Sequence, residues 1–153
     1  MESFGKAKTI GLAPGSLVHL GERRQENPVL EIYHFTAAVF EKRLQATLDD
    51  CRNYPGRDGV TWINLEGIHD VSLVGDLGAM FDIHSLALED ILDTHHPPKM
   101  ELFENNLLII LKMLTLKADE PAIEKEQVSI VLGRDYVISF QEREPPGDVF
   151  NGV

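Results

Sequence analysis

Three histidines and three carboxylates fall between His84 and His96, in the run His84-Ser-Leu-Ala-Leu-Glu89-Asp90-Ile-Leu-Asp93-Thr-His95-His96-Pro97-Pro98-Lys99. Imidazole nitrogens and carboxylate oxygens are the common protein ligands of divalent cations, so the spacing decides what chemistry is open. A zinc centre needs three or four converging ligands, as in His-Glu-x-x-His, and that spacing is absent. Glu89 and Asp90 are neighbours on a predicted helix, so their side chains diverge by about 100° and do not readily chelate one ion. Asp93, three residues after Asp90, shares its face. Two readings stay open: a solvated helix end, or a hydrated divalent cation held by one or two carboxylates. Mg²⁺ suits the second reading because it keeps several waters, but the site would need a further carboxylate from elsewhere.

The elements that must position this run follow from pattern. Ser85 is the expected N-cap of a short helix ending near Leu92, and Pro97-Pro98 stops it. Upstream, Val29–Phe35 and Val60–Leu65 read as strands, rich in β-branched and aromatic residues. Ala37–Cys51 reads as a helix, with Phe40, Leu44 and Leu48 recurring every four residues. Val71–Phe81 reads as another, with Leu73, Val74, Leu77, Met80 and Phe81 as its stripe. Downstream, Lys99–Phe103, Leu107–Leu114, Gln127–Leu132 and Tyr136–Gln141 read as strands, although a buried helix could give the second of these patterns. The order predicts an α/β sandwich with one mixed, largely antiparallel sheet and helices on its faces.

The 153 residues suit one domain, with a polar arm over 1–15, a folded body over 16–143 and a connection beginning at 144–153. A net charge of −11 argues against nucleic acid or anionic lipid as direct partners. The single cysteine, Cys51, forms no internal disulfide, which points to a reducing compartment, and a structural role suits it. No apolar run approaches the roughly 18–20 residues of a membrane-spanning helix. Glycine spacing fits no phosphate-binding loop. His19 and His34 read as packing residues in strands, and His69 as a helix cap.

Several stretches resemble the CorA family of magnesium and cobalt transporters. They are Thr61-Trp-Ile-Asn64, Gly67-Ile-His69, Phe81-Asp-Ile-His84, Leu88-Glu-Asp-Ile-Leu92, Pro98-Lys99, Phe103-Glu-Asn105, Leu111-Lys-Met113, Glu126-Gln-Val-Ser129, Phe140-Gln-Glu142 and Gly147-Asp-Val-Phe150. The resemblance runs over roughly 12–150 and corresponds to the family's N-terminal cytoplasmic domain. It implies an α/β/α sandwich, a homopentameric channel, and membrane attachment only through later helices that this chain lacks. It implies no enzymatic activity and a regulatory Mg²⁺, with Co²⁺ also possible, bound between subunits on the cytoplasmic side. Asp90 would be the primary metal ligand and Glu89 would serve an adjacent site. Partner carboxylates would come from a neighbour's stalk, so the isolated chain should bind Mg²⁺ weakly or not at all.

The chain departs from the family where Gln-Arg-Pro-Lys is usual and His96-Pro97-Pro98-Lys99 stands instead, losing a bidentate donor. Three other functions compete with this reading. One is a metal-dependent hydrolase built on His84, His95 and His96. The others are a stand-alone soluble interaction module and a zinc-exporting relative of the family.

Overall fold

The structure, a computed structural model, describes residues 11–24, 26–116 and 122–142. Its strands are β1 (Val29–Phe35), β2 (Phe40–Arg43), β3 (Val60–Glu66), β4 (Lys99–Leu102), β5 (Leu107–Leu116), β6 (Ile123–Leu132) and β7 (Tyr136–Gln141). Among the described residues the helices are α1 (Leu48–Cys51), α2 (Val71–Met80) and α3 (Ser85–Leu92). All seven strands join one sheet in the order β2-β1-β3-β7-β6-β5-β4. Only β3 and β7 run parallel, so the sheet is mixed and largely antiparallel, as expected.

Register explains where the core sits. Ile32 pairs with Ile63, Ile63 with Ile138, Ile138 with Val131, and Val131 with Leu108. One step along lies a second row, Leu30, Leu65, Phe140, Ser129 and Ile110. Because strand side chains alternate faces, both rows point the same way. Cys51 of α1, Val74 and Leu77 of α2, and Ala87, Leu88, Ile91 and Leu92 of α3 close over them in one apolar cluster. The two longer helices touch at Gly78, where a Cβ would lie 2.3 Å from Leu88 Cδ1. Between them Asp82 takes a left-handed φ of 51°. Asn105 Nδ2 holds its carboxylate at 2.5 Å, and Asn106 Nδ2 donates to its carbonyl at 3.1 Å.

The opposite sheet face is polar at its centre. Trp62 Nε1 donates to Ser139 Oγ at 2.9 Å, and Ser139 Oγ and Gln141 Nε2 both donate to Asn64 Oδ1, at 2.6 and 3.0 Å. Asn64 Nδ2 in turn donates to Glu66 Oε1 at 3.0 Å. The described helices all pack on the apolar face, and among the described residues none covers the opposite one. Residues 1–10 of the expected arm and the whole connection over 144–153 lie outside the described residues.

One expected element is wrong. Residues 37–51 are not a helix but β2 followed by the single turn α1. Thr36 turns the chain by donating its backbone N–H to Val39 O at 2.9 Å, while its Oγ1 accepts from Val39 N–H at 2.9 Å. β2 then pairs with β1, and Gln45 at φ 50° breaks any helical run. Thr47 and Asp50 form a capping box that starts α1. Of the three residues at helical spacing, Phe40 and Leu44 are 55% and 54% exposed, and Leu48 alone packs against the core. Smaller corrections concern caps. His84, not Ser85, caps α3, and Asp70, not His69, caps α2. Leu107–Leu116 is a strand. Among the described residues no helix is long and apolar enough to cross a membrane.

The two assignments separate by stability. Ile63→Ala, in the central row, should cost about 2–5 kcal/mol. Phe40→Ala should cost less than about 1 kcal/mol, since its ring is mostly in water. Urea unfolding midpoints measure both, and a large loss at Phe40 would contradict the edge-strand placement.

Candidate functional site: the acidic end of helix α3

An α-helix leaves its last four carbonyls without partners, and α3 has all four answered. Asp93 N–H donates to Glu89 O at 3.1 Å, and Leu20 N–H donates to Leu92 O at 2.9 Å. Gln127 Nε2, from β6, donates to Ile91 O at 3.2 Å and, at greater length, to Asp90 O at 3.4 Å. Lys112 of β5, the cross-strand neighbour of Gln127, donates to Gln127 Oε1 and to Thr94 O, both at 2.7 Å. Burial lowers the Lys112 pKa from the ordinary lysine value, with nearby carboxylates pulling the other way. The helix end is thus fastened to the sheet, and its side chains take fixed directions.

Those directions separate the two acids. Glu89 Oε2 accepts from Gly15 N–H at 2.7 Å. The Pro14-Gly15 turn makes that approach possible. Gly15 has a φ of 81°, and a Cβ there would lie 2.7 Å from Ser85 Oγ. Asp90 points toward β4, with Oδ2 at 2.5 Å from Lys99 Nζ and Oδ1 at 3.3 Å from His96 Nε2. Lys99 also reaches Glu101 Oε2 at 2.6 Å. Partial burial of Lys99 acts to lower its pKa, but Asp90 and Glu101 outweigh this and raise it.

The other predicted ligands do not join them. Asp93 accepts from His95 N–H at 3.0 Å, and His95 Nδ1 lies 3.2 Å from Leu20 O. His84 caps the far end of α3 through Nδ1, accepting from Leu86 N–H at 3.2 Å, and its ring stacks on Phe103. An eight-residue helix is about 12 Å long, so His84 cannot meet His95 and His96 on one ion. Among the described residues no three His, Cys, Asp or Glu side chains converge as a metal site. The hydrolase arrangement therefore has no geometric basis among them. Cys51 is buried and its thiol is pushed up to about 11 by burial, so it is no nucleophile.

Two features nonetheless favour a cation at Asp90. Glu89 and Asp90 lie in the last turn of α3, which contains no basic residue, where the helix dipole is unfavourable to carboxylates. The Asp90 side chain is 20% exposed, so an outside ion can reach it. One carboxylate of this kind fits a hydrated Mg²⁺, which takes one or two such oxygens and retains water, but it does not make a whole site. Beside it lies a cleft of about 460 Å³ lined by Arg24, His96, Lys112 and Glu142 among others. Its charges already answer one another: Arg24 Nε lies 3.1 Å from Glu142 Oε2, and Gln127 N–H donates to Glu142 Oε1 at 2.8 Å. Gln127 and Gly15 are neighbours of the helix end that pattern alone did not connect to it, and Lys99, part of the run and of the Pro98-Lys99 motif, had no partner assigned. For Gln127 a signal exists, since a polar residue on the inward side of a buried strand must find a partner.

A mixed-sheet α/β domain with a fastened, acidic helix end and, among the described residues, no complete metal site is the class these features define. The sequence pattern of the family described as CorA-like Mg²⁺ transporter protein matches residues 57–149, and the chain belongs to that family. It is 38% identical over 153 residues to the cobalt/magnesium transport protein CorA of Thermotoga maritima. That match takes in 100% of this chain and 43% of the relative, so the chain spans less than half of that protein's length. Among solved structures, the complete CorA magnesium transporter of Methanocaldococcus jannaschii aligns with a TM-score of 0.53 at 19% identity, over 72% of this chain and 31% of that one. The cytoplasmic domain of ZntB from Vibrio parahaemolyticus aligns with a TM-score of 0.54 at 16% identity, over 76% of this chain and 45% of that one. At these identities the structural likenesses establish the fold alone, and the second does not favour the zinc-exporting alternative.

The Glu89 contact has a local test. Glu89→Ala removes a charged acceptor, so the Gly15 amide should exchange with solvent about tenfold faster or more. Hydrogen exchange followed by NMR measures this, and an unchanged Gly15 rate would show that Glu89 does not hold the turn.

Proposed function

We propose that this chain is the cytoplasmic, divalent-cation-sensing part of a CorA-type magnesium and cobalt transport protein. In this reading it works as a homopentamer whose membrane helices lie in sequence beyond residue 153. The observation that carries the reading is the half-complete site. Asp90 is a reachable carboxylate at an unfavourable helix end, and no second ligand set within the described residues completes a cation site around it.

Asp90 is then the primary ligand, Glu89 serves an adjacent position, and the missing carboxylates come from a neighbouring copy. Asp90 and its partner acids repel across the subunit interface while both are ionised. A bound, hydrated Mg²⁺ supplies the positive charge that bridges them. Because the bridged contact exists only in the closed arrangement, the cation has the differential affinity that a population shift requires. Gating thereby follows intracellular Mg²⁺, and Co²⁺ fits the same oxygen donors.

Two measurements test this. Calorimetry on the 153-residue chain should find no tight, stoichiometric Mg²⁺ site, since a monomer holds only half of one; a tight site on a monomer would sink the intersubunit scheme. In the full-length transporter, Asp90→Ala should raise the Mg²⁺ needed to shut off flux by about tenfold, the scale of a typical coupling free energy. Unchanged Mg²⁺ inhibition would remove Asp90 from the sensor.

A further inference from the structure

We propose that the Lys99 ammonium is a built-in competitor for the Asp90 carboxylate, holding it in the cation-free chain and moving over to Glu101 when a divalent cation binds. The inference rests on the reading of Asp90 as a cation ligand and adds what sets the threshold of that site.

The geometry is that of an exchange. Lys99 opens β4 and pairs with Ile110, whose side chain belongs to the apolar face under the helices, so Lys99 projects toward α3. Its backbone is anchored by that pairing, and Pro97-Pro98 restricts the approach to it. Only the side-chain tip is free to choose. It sits between two carboxylates, 2.5 Å from Asp90 Oδ2 and 2.6 Å from Glu101 Oε2. Glu101 lies two residues along the same strand and so shares the Lys99 face. At 48% exposure against 20% for Asp90, it is the wetter partner and keeps the ammonium at little desolvation cost.

Simultaneous occupancy is unfavourable. A Mg²⁺ bound to Oδ2 at about 2.0–2.1 Å would lie within about 5 Å of an ammonium still on that oxygen, and like charges that close repel strongly. His96 Nε2 faces the other oxygen at 3.3 Å, and its Nδ1 lies 2.8 Å from Pro97 O. Lys99 is therefore the side chain that must yield. Its departure subtracts from the affinity of the cation, and the affinity rises when Lys99 is removed. By linkage, cation and ammonium each weaken the other's hold on Asp90 by the same factor.

The test uses the 153-residue chain with Mn²⁺ as a paramagnetic probe, read as broadening of the backbone amide signals around Asp90. Lys99→Met should reach half-broadening at about three- to tenfold lower Mn²⁺ than the parent chain, the scale of a partly exposed ion pair. Lys99→Arg keeps the charge and should need at least as much Mn²⁺ as the parent. Glu101→Gln removes the alternative partner and should shift the midpoint upward. Amide signals of α2 and β7 report whether each variant is folded. An unchanged midpoint in Lys99→Met, with broadening lost in Asp90→Asn, overturns the competitor and leaves Asp90 standing as a ligand. No Asp90-dependent broadening in either the parent or Lys99→Met overturns the exchange in this chain, while the intersubunit reading of Asp90, which needs a neighbour's carboxylates, is decided by the flux measurement. The parent chain also gives a reading that needs no variant. Acetylation of Lys99 relative to Lys42, followed by mass spectrometry, should change on adding Mg²⁺ as Lys99 leaves Asp90, and a constant ratio counts against the exchange.

Discussion

The hydrogen bonds from Gln127 to the last turn of α3 are the contact on which the acidic site depends. Gln127 is 1% exposed, and a buried amide without partners would be costly. Here its nitrogen answers the Ile91 and Asp90 carbonyls while its oxygen accepts from Lys112. The requirement is mutual. A helix ending over a sheet must place its free carbonyls somewhere, and a strand with an inward glutamine must place its amide. Each solves the other's problem. In doing so they fix the rotation of α3, and with it the direction of every side chain in its last turn.

That rotation decides what the charges can do. With Leu88, Ile91 and Leu92 held in the core, Glu89 and Asp90 are forced outward on two different sides. One meets the backbone of the Gly15 turn and the other meets β4. Neither sits at a helix N-terminus, where the dipole would favour it; both sit at the end the dipole disfavours. The chain answers with local cations, Lys99 and Lys112, and with His96 beside Asp90. Against a net charge of −11 these few cations are concentrated where the helix end needs them.

Much of this was legible in the sequence, and the limits have physical causes. β1, β3, β6 and β7 announce themselves through β-branched and aromatic residues at period two, and α2 and α3 through their apolar stripes. The divergence of Glu89 and Asp90 needs only the helical repeat. The stretch over 37–51 misled because Phe40, Leu44 and Leu48 recur at helical spacing although the first two face water. Pattern reads spacing, not burial, and the Thr36 turn that makes β2 depends on pairing with β1. The partner of Glu89 and the tether of the helix end were out of reach for a related reason. Gly15 lies 74 residues from Glu89, and Gln127 lies 36 from Ile91. Contacts at such separation follow from the sheet order, which places β5 and β6 beneath α3.

The same distances bear on the proposed sensor. A carboxylate kept for an outside ion must stay ionised and reachable, yet must not collapse the local structure while it waits. Burying Asp90 fully against Lys99 would make a strong internal pair and a poor ligand, because breaking it would leave a buried charge. Leaving Asp90 fully in water would make it available but would leave the helix end uncompensated. At 20% exposure, with an ammonium that has a second carboxylate within reach, Asp90 occupies the range between these limits. In the proposed exchange, its pair with Lys99 holds the helix end in the cation-free chain and gives way when the cation binds. A threshold set by a resident side chain also scales with the environment of that side chain, so substitutions around Glu101 act on cation affinity without touching a ligand.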